Sequence, residues 1–324
     1  MSRLGISKLA RPPHKYCIQQ ALPNFETAAF SRKQDKLRAK SLKKYLTTDH
    51  SNGRKLFSVL KATRLAKFLH QKSMPSKVQR KTLKDFRKSR RKSLSSSVDM
   101  RRYRKRIIGW LWKLYNETIQ WNPTTFTIAA RRWEIPANEL INLVATKLVA
   151  ELLSDLNRAG AAKATGYLIA FIHAEFCEYS NVYRFHFHGM IAGGMTDVID
   201  KLRATKKYKS PKGHRTSIKV ARQTLTNLPS PLSYLLKSYW PGIYIGEEHQ
   251  GKRPQKPRRI AEPFHSEALL WLDQWNLEDI TLLKGVSIKA GGQGFQLRNP
   301  YSYPRHGKSP NGQNNTPDTE DGGI

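Results

Sequence analysis

The sequence predicts an α+β fold: a mainly antiparallel sheet with helices on one face, preceded by a basic helical N-terminal region. Three observations predict it. Short runs rich in Thr, aromatic and β-branched residues recur at 124–130, 165–177, 183–192 and 216–224. Segments with apolar residues three and four apart alternate with these runs. Positive charge is concentrated early: residues 32–106 hold 27 Lys or Arg and four acids, +23 of a total formal charge of +34.

Taken in order, residues 54–72 (RKLFSVLKATRLAKFLHQK) read as a basic amphipathic helix, and the Lys/Arg/Ser-rich stretch after it as a linker or arm. Residues 101–119 read as a helix packing Ile107, Trp110, Leu111 and Leu114. Thr124 to Ala130 is a strand. Pro136 opens a helix carrying Leu140, Val144, Leu148, Leu152 and Leu156, and Gly160 stops it. Thr165 to Cys177 and Tyr183 to Ala192 are two strands joined by a hairpin at Tyr179-Ser180-Asn181. A short helix at 195–204, a strand at 216–224 and a helix from Pro229 to Trp240 follow. The order β-α-β-β-α-β-α is the ferredoxin-like split pattern with an additional helix. The expected organisation is a basic, helical or partly disordered DNA-binding region (1–100), a main domain (101–245), a basic loop and packing helix (246–304) and a disordered tail (305–324).

Composition narrows the function. A globular domain gains no stability from a self-repulsion of +34, so a polyanionic partner is expected, with nucleic acid ahead of a membrane surface. Two cysteines, Cys17 and Cys177, make neither a disulfide framework nor a zinc cage and suggest a reducing compartment. With no apolar leader and no long uncharged apolar run, the expected location is the cytoplasm, with no membrane partner.

Three patterns carry chemistry. In a strand, i and i+2 point to one side, so His186 and His188 aim both imidazoles at one face and can hold a divalent cation. A carboxylate on the neighbouring strand would complete the set. If Ser180-Asn181 is a two-residue turn, Glu175 lies opposite His186; an odd loop brings Glu178 to that face instead. Tyr234 and Lys237 stand three apart on the expected helix, an ammonium beside a phenol. Phe126-Thr127-Ile128 is an apolar-Thr-apolar strand. Arg101, Arg102, Arg104, Lys105, Arg106, Arg131 and Arg132 are candidate phosphate contacts.

In this order and at this spacing, Phe126-Thr127-Ile128, His186-Phe187-His188 and Tyr234-Leu235-Leu236-Lys237 resemble the motifs of the HUH endonuclease superfamily, and within it the rolling-circle replication initiators of phages and plasmids. The likeness covers roughly residues 122–242. It implies a protein that binds single-stranded or hairpin origin DNA in a bacterial host cell, with His186 and His188 as ligands of Mg²⁺ or Mn²⁺. Tyr234 would be the nucleophile that becomes joined to a 5′ phosphate, and Lys237 would assist it. Glu178 has the commoner family spacing before the histidines, and Glu175 fits the tight hairpin. Some initiators carry a second tyrosine four residues on. Here Tyr239 is five away, off that helix face, which favours a single-tyrosine mechanism with Tyr239 as the candidate second nucleophile. No GxxxxGK[ST] pattern occurs, so unwinding and synthesis would fall to a host helicase and polymerase. An HUH transposase and a non-catalytic basic nucleic-acid-binding protein are the alternatives.

Overall fold

The computed structural model describes residues 5–47, 56–75, 92–208, 218–221, 225–237, 239–243 and 258–298. Much of the expected arm, most of the strand expected at 216–224, the start of the basic loop and the tail lie outside these residues.

The long apolar run at 165–177 dictates the architecture. It forms β2 (Tyr167–Cys177), in which every position but Glu175 is buried. Such a strand needs cover on both faces and pairing on both edges. On one edge it pairs antiparallel with β3 (Val182–Ala192), which pairs with β1 (Thr124–Pro136), which pairs with β4 (Ile218–Val220). The other edge is shared: β7 (Thr281–Lys284) lies antiparallel along Leu168–Phe171, and β5 (Pro241–Ile243) runs parallel at Phe176 and Cys177. A short β6 (Arg258–Arg259) extends β5. The sheet is therefore mixed, not purely antiparallel, and the protein is a mixed helix–strand fold.

The β2–β3 hairpin pairs Cys177 with Val182, so its loop is the four residues Glu178–Asn181, with Asn181 left-handed at φ 53°. Relative to a two-residue turn the register moves by two, and His173, not Glu175, faces His186. Further along β3, Gly189 stands opposite Phe126, where a Cβ would strike the Phe126 ring and the Ile169 carbonyl.

Helices cover both faces of the sheet, a correction to the expected one. Alternation puts Tyr183, Phe185 and Phe187 on one side. There α6 (Phe264–Leu272) brings Trp271 to within 5.2 Å of the Phe185 ring, and Trp133 meets Phe187 at 5.1 Å. Between β1 and β2 the chain makes 3₁₀ turns over Ala137–Asn142 before α4 (Ala145–Leu156), whose Glu151 accepts from the Trp133 indole at 3.1 Å. After β3, α5 (Met195–Ala204) buries Val198, Ile199 and Leu202. On the other side, Thr118, at the end of α3 (Ser97–Glu117), bonds the Tyr167 hydroxyl at 3.0 Å.

The N-terminal helices share this core. They are α1 (Ala28–Thr47), where the sequence pattern suggests no element, and α2 (Val59–Ser73), which starts at its Ser58 cap. A boundary at residue 100 would cut α3. Asp35 of α1, fully buried, accepts bonds from Ser96 Oγ at 2.7 Å and from the Ser97 and Val98 amides, and so caps α3 from outside. Arg38 closes the lock on the Ser95 carbonyl at 2.8 Å. Ser93, Ser95, Ser96 and Ser97 are thus buried, with Ser96 the cap of α3, and are not part of a mobile linker. Among the described residues no helix is long and apolar enough to cross a membrane.

Candidate functional site

The face of the sheet opposite Phe185 and Phe187 carries the polar row. His188 pairs with Thr127 on β1 and Phe171 on β2; one step along, His186 pairs with Ala129 and His173. The three imidazoles form a cluster, with ring centres 4.6 Å apart for His186–His188, 5.0 Å for His173–His188 and 6.0 Å for His173–His186. His173 is buried, whereas His186 and His188 are half-buried and open outward.

The hydrogen bonds aim the outer pair. His186 Nδ1 donates to the Arg184 carbonyl at 3.1 Å, which leaves its Nε2 a bare lone pair. His188 Nδ1 lies 2.8 Å from Thr127 Oγ1, and the two Nε2 atoms are 3.0 Å apart. With no cation, the Thr127 hydroxyl donates to His188 Nδ1, and His188 Nε2–H donates to His186. When the hydroxyl turns to accept instead, both Nε2 atoms carry lone pairs 3.0 Å apart. Two cis ligands about 2.1 Å from an octahedral cation lie about 3.0 Å apart, so this pair fits a divalent ion such as Mg²⁺ or Mn²⁺. Burial lowers His186 to about 4; the Arg184 carbonyl opposes the fall and the Lys237 charge adds to it. Burial, His186 and Lys237 lower His188 to about 3. Both rings are therefore neutral near pH 7, the form that binds metal.

The Tyr-x-x-Lys segment reaches this cluster, but not on the expected helix. One helical turn, Ser230–Ser233, is followed by turns through Leu236. The α-helix ends at Ser233, the Tyr234 and Leu235 amides then bond the Pro231 and Leu232 carbonyls three residues back, and His173 Nε2 donates to the Leu235 carbonyl at 2.9 Å. Leu232, Leu235 and Leu236 are buried, while Tyr234 is 63% exposed. Lys237 Nζ lies 5.9 Å from the centre of the Tyr234 ring. Burial lowers the Lys237 pKa against the opposing pull of Glu175, and its charge depresses all three histidines. Lys237, Glu175, Thr127, His186 and His188 thus belong to one cluster, and Tyr234 adjoins it through Lys237.

The two carboxylates separate. Glu175 pairs with Arg184 on the histidine face, diagonal to His186. Glu178 lies against Gly242, the partner of Phe176, and so belongs to the opposite face; its amide donates to Ile243. The even loop excludes it from the histidine side. Among the described residues no set of three His, Cys, Asp or Glu groups is arranged to hold a metal ion. Two histidines therefore leave the remaining positions of a cation to water or to oxygens of a bound molecule. Tyr239 is exposed where the chain approaches β5, and Trp240 beside it packs on Tyr183 and Phe185, the far face.

Most of the candidate phosphate contacts are engaged inside the molecule. Five residues of β1 span what two of β3 span between Ala129/His186 and Glu134/Arg184, and Arg131 and Arg132 sit in that bulge. Arg131 is exposed. Arg132 pairs with Asp155 at 2.8 Å and lies over the Trp133 and Tyr208 rings. Burial alone would raise the Asp155 pKa, but bonds from Arg158, Lys207 and Tyr208 and the Arg132 charge hold it at about 2. Arg101 donates to the Glu26 carbonyl, Arg104 to the Glu26 carboxylate and Arg106 to the Leu9 carbonyl. Lys105 has its pKa lowered, chiefly by burial. Arg102, 56% exposed, is 3.6 Å from Asp99.

Two residues of the site escape the motif reading. His173 sits inside an apolar run and reads as packing. Lys219 of β4 pairs with Thr127 and is exposed, so it adds a cation to the row of His188. Strand alternation is the signal that could have found it. Comparison with family models, with curated proteins and with solved structures finds no match to this chain.

Proposed function

We propose that this protein nicks and rejoins single-stranded DNA through Tyr234, as a replication initiator of the HUH type. The observation that carries the reading is that Lys237 lies beside the Tyr234 ring and also acts on the neutral pair His186 and His188, although 46 residues of sequence separate His188 from Tyr234. The sheet order β4-β1-β3-β2 supports the ferredoxin-like arrangement of such enzymes. A divalent cation held by His186 and His188 would supply polarisation of the scissile phosphate. The Tyr234 oxygen attacks phosphorus as its phenolic proton passes to solvent. The bond to the 3′ oxygen breaks, and that oxygen takes up a proton. Lys237 offsets the charge that builds on the phosphate and the phenol oxygen. Thr127 fixes the His188 ring, and Glu175 holds Lys237 in its charged form. The substrate is an origin single strand or hairpin in a bacterial cytoplasm, with helicase and polymerase supplied by the host.

The test is to incubate the protein with labelled single-stranded oligonucleotides tiled across its own replicon, with Mn²⁺, and to run denaturing gels. A covalent adduct is expected. Tyr234→Phe should abolish it and leave DNA affinity within about twofold, because only the attacking oxygen is lost. An adduct that survives in this variant removes Tyr234 from the mechanism. No adduct with any strand favours a non-catalytic binding protein.

A further inference from the structure

The turn that carries Tyr234 is short of internal support. Its helical part is four residues long, the Tyr234 and Leu235 amides bond to carbonyls three residues back, and Leu235 and Leu236 are buried. Yet the carbonyls on either side of Tyr234 are both taken by side chains of the domain body. The Ser233 carbonyl accepts from Arg104 Nη2 at 3.2 Å, and the Leu235 carbonyl accepts from His173 Nε2 at 2.9 Å. The two donors come from different elements, α3 and the central strand β2.

Both donors are themselves held. Arg104 is 13% exposed, bonds the Glu26 carboxylate and lies 5.0 Å over the Phe25 ring. His173 is 3% exposed and wedged against His186 and His188. Burying a guanidinium and an imidazole costs desolvation, and apolar side chains would hold a turn by packing at lower cost. What polar donors add is direction: each fixes the orientation of one peptide plane. Arg104 fixes the plane between Ser233 and Tyr234 and His173 the plane between Leu235 and Leu236; the plane between them is held by the Leu235 amide on the Leu232 carbonyl at 3.2 Å, so the backbone at Tyr234 is set on both sides while its ring stays 63% exposed.

We infer that Arg104 and His173 form a two-sided clamp that aims Tyr234 at the histidine pair, so that both are positioning residues for the nucleophile. This rests on the nuclease reading above. His173 then links the two halves of the site, since the ring that packs on His186 and His188 also grips the turn. Misplacing a reacting group by about 1 Å costs on the order of 10²-fold in rate.

The experiment compares His173→Leu with His173→Gln, whose amide nitrogen can reach the Leu235 carbonyl as Nε2 does. Rate is read as single-turnover adduct formation at saturating DNA, and affinity is measured separately. His173→Leu should slow the adduct step by about 10- to 100-fold with affinity within about twofold, and His173→Gln should restore most of the rate. Arg104→Leu should act in the same direction. A second readout does not need activity: amide hydrogen exchange over residues 232–237. Exchange there should quicken in His173→Leu and Arg104→Leu, with the strands unchanged, and stay slow in His173→Gln. Wild-type rate and exchange in His173→Leu would overturn the clamp. So would faster exchange spread over the whole sheet, which would mark His173 as a core residue only. If the wild-type protein forms no adduct, the nuclease reading fails, and local exchange over 232–237 still decides whether the clamp exists.

Discussion

Alternate residues of β3 face two different environments, and the contrast separates fold from chemistry within a single strand. Tyr183, Phe185 and Phe187 are each at most 2% exposed and meet Phe176, Trp240, Trp271 and Trp133. Arg184, His186 and His188 are half-buried and meet Glu134, Thr127 and one another. The aromatic side is filled and self-satisfied. The histidine side is desolvated enough to keep its rings neutral, yet open at the β1 and β4 end, where Ala129 and Lys219 are exposed. A strand read only for its pattern shows the alternation. It does not show that one side is closed and the other left accessible.

Neighbouring substitutions should break the two sides separately. His188→Gln removes one of the two nitrogens proposed to hold the cation and, on that proposal, should lower the rate of adduct formation by about 10³-fold or more, with thermal stability changed by less than about 1 kcal/mol. Phe187→Ala, one residue away, should cost about 3–5 kcal/mol by opening a cavity beneath Trp133, measured by urea unfolding. If His188→Gln unfolded the protein, or Phe187→Ala left it fully stable, the division of labour between the two faces would be wrong.

The same contrast has a pH signature. In the unfolded chain histidine titrates near 6.5. In the folded protein burial holds His186 at about 4 and His188 at about 3. Between these values and about 6.5 the unfolded state binds more protons, so the stability carried by the neutral rings is present above about 6.5 and is lost as pH falls toward 4. Glu267 has the opposite sign: burial and Glu262 raise it to about 7, so its share of stability grows as pH falls from 7 toward 4.5. Comparison of wild type with His186→Gln cancels the Glu267 contribution. The wild type should lose about 1–2 kcal/mol more than the variant between pH 7 and pH 5. Parallel pH–stability curves would mean that His186 is already solvated in the folded state.

Much of this was legible in the residues. The alternation of 183–192 and the largely apolar run of 165–177 correspond to observed strands, whereas of the helix expected from Pro136 only Ala145–Leu156 is α-helical, since Pro136 ends β1 and Ala137–Asn142 turns as a 3₁₀ segment. What the pattern concealed depends on distant contacts. Leu232, Leu235 and Leu236 have helical spacing, but the α-helix ends at Ser233, and His173, 62 residues earlier, bonds the Leu235 carbonyl. The serines at 93–97 look like linker until Asp35 arrives from another helix to bond them. The choice between Glu175 and Glu178 hung on a loop whose length residue type alone does not set. Four residues kept the parity of a tight turn and moved the register by two, which put His173 across from His186.

The smallest expected effect concerns the open end of the histidine face. Lys219 pairs with Thr127 at the sheet edge and is exposed. If the strand to be cut crosses the histidine pair, it passes over β1 and β4, and Lys219 is the cation it meets. Unlike Arg132, which Asp155 and Glu151 hold inside the fold, Lys219 can give its charge to a phosphate without breaking an internal pair among the described contacts. Lys219→Ala should weaken single-strand binding by about two- to fivefold at moderate salt and lower the slope of log affinity against log salt by about 0.7. Arg132→Ala should instead destabilise the protein with little change in that slope. The reverse result, a slope that responds to Arg132 and ignores Lys219, would place the DNA path on the aromatic side of the sheet and separate it from Tyr234.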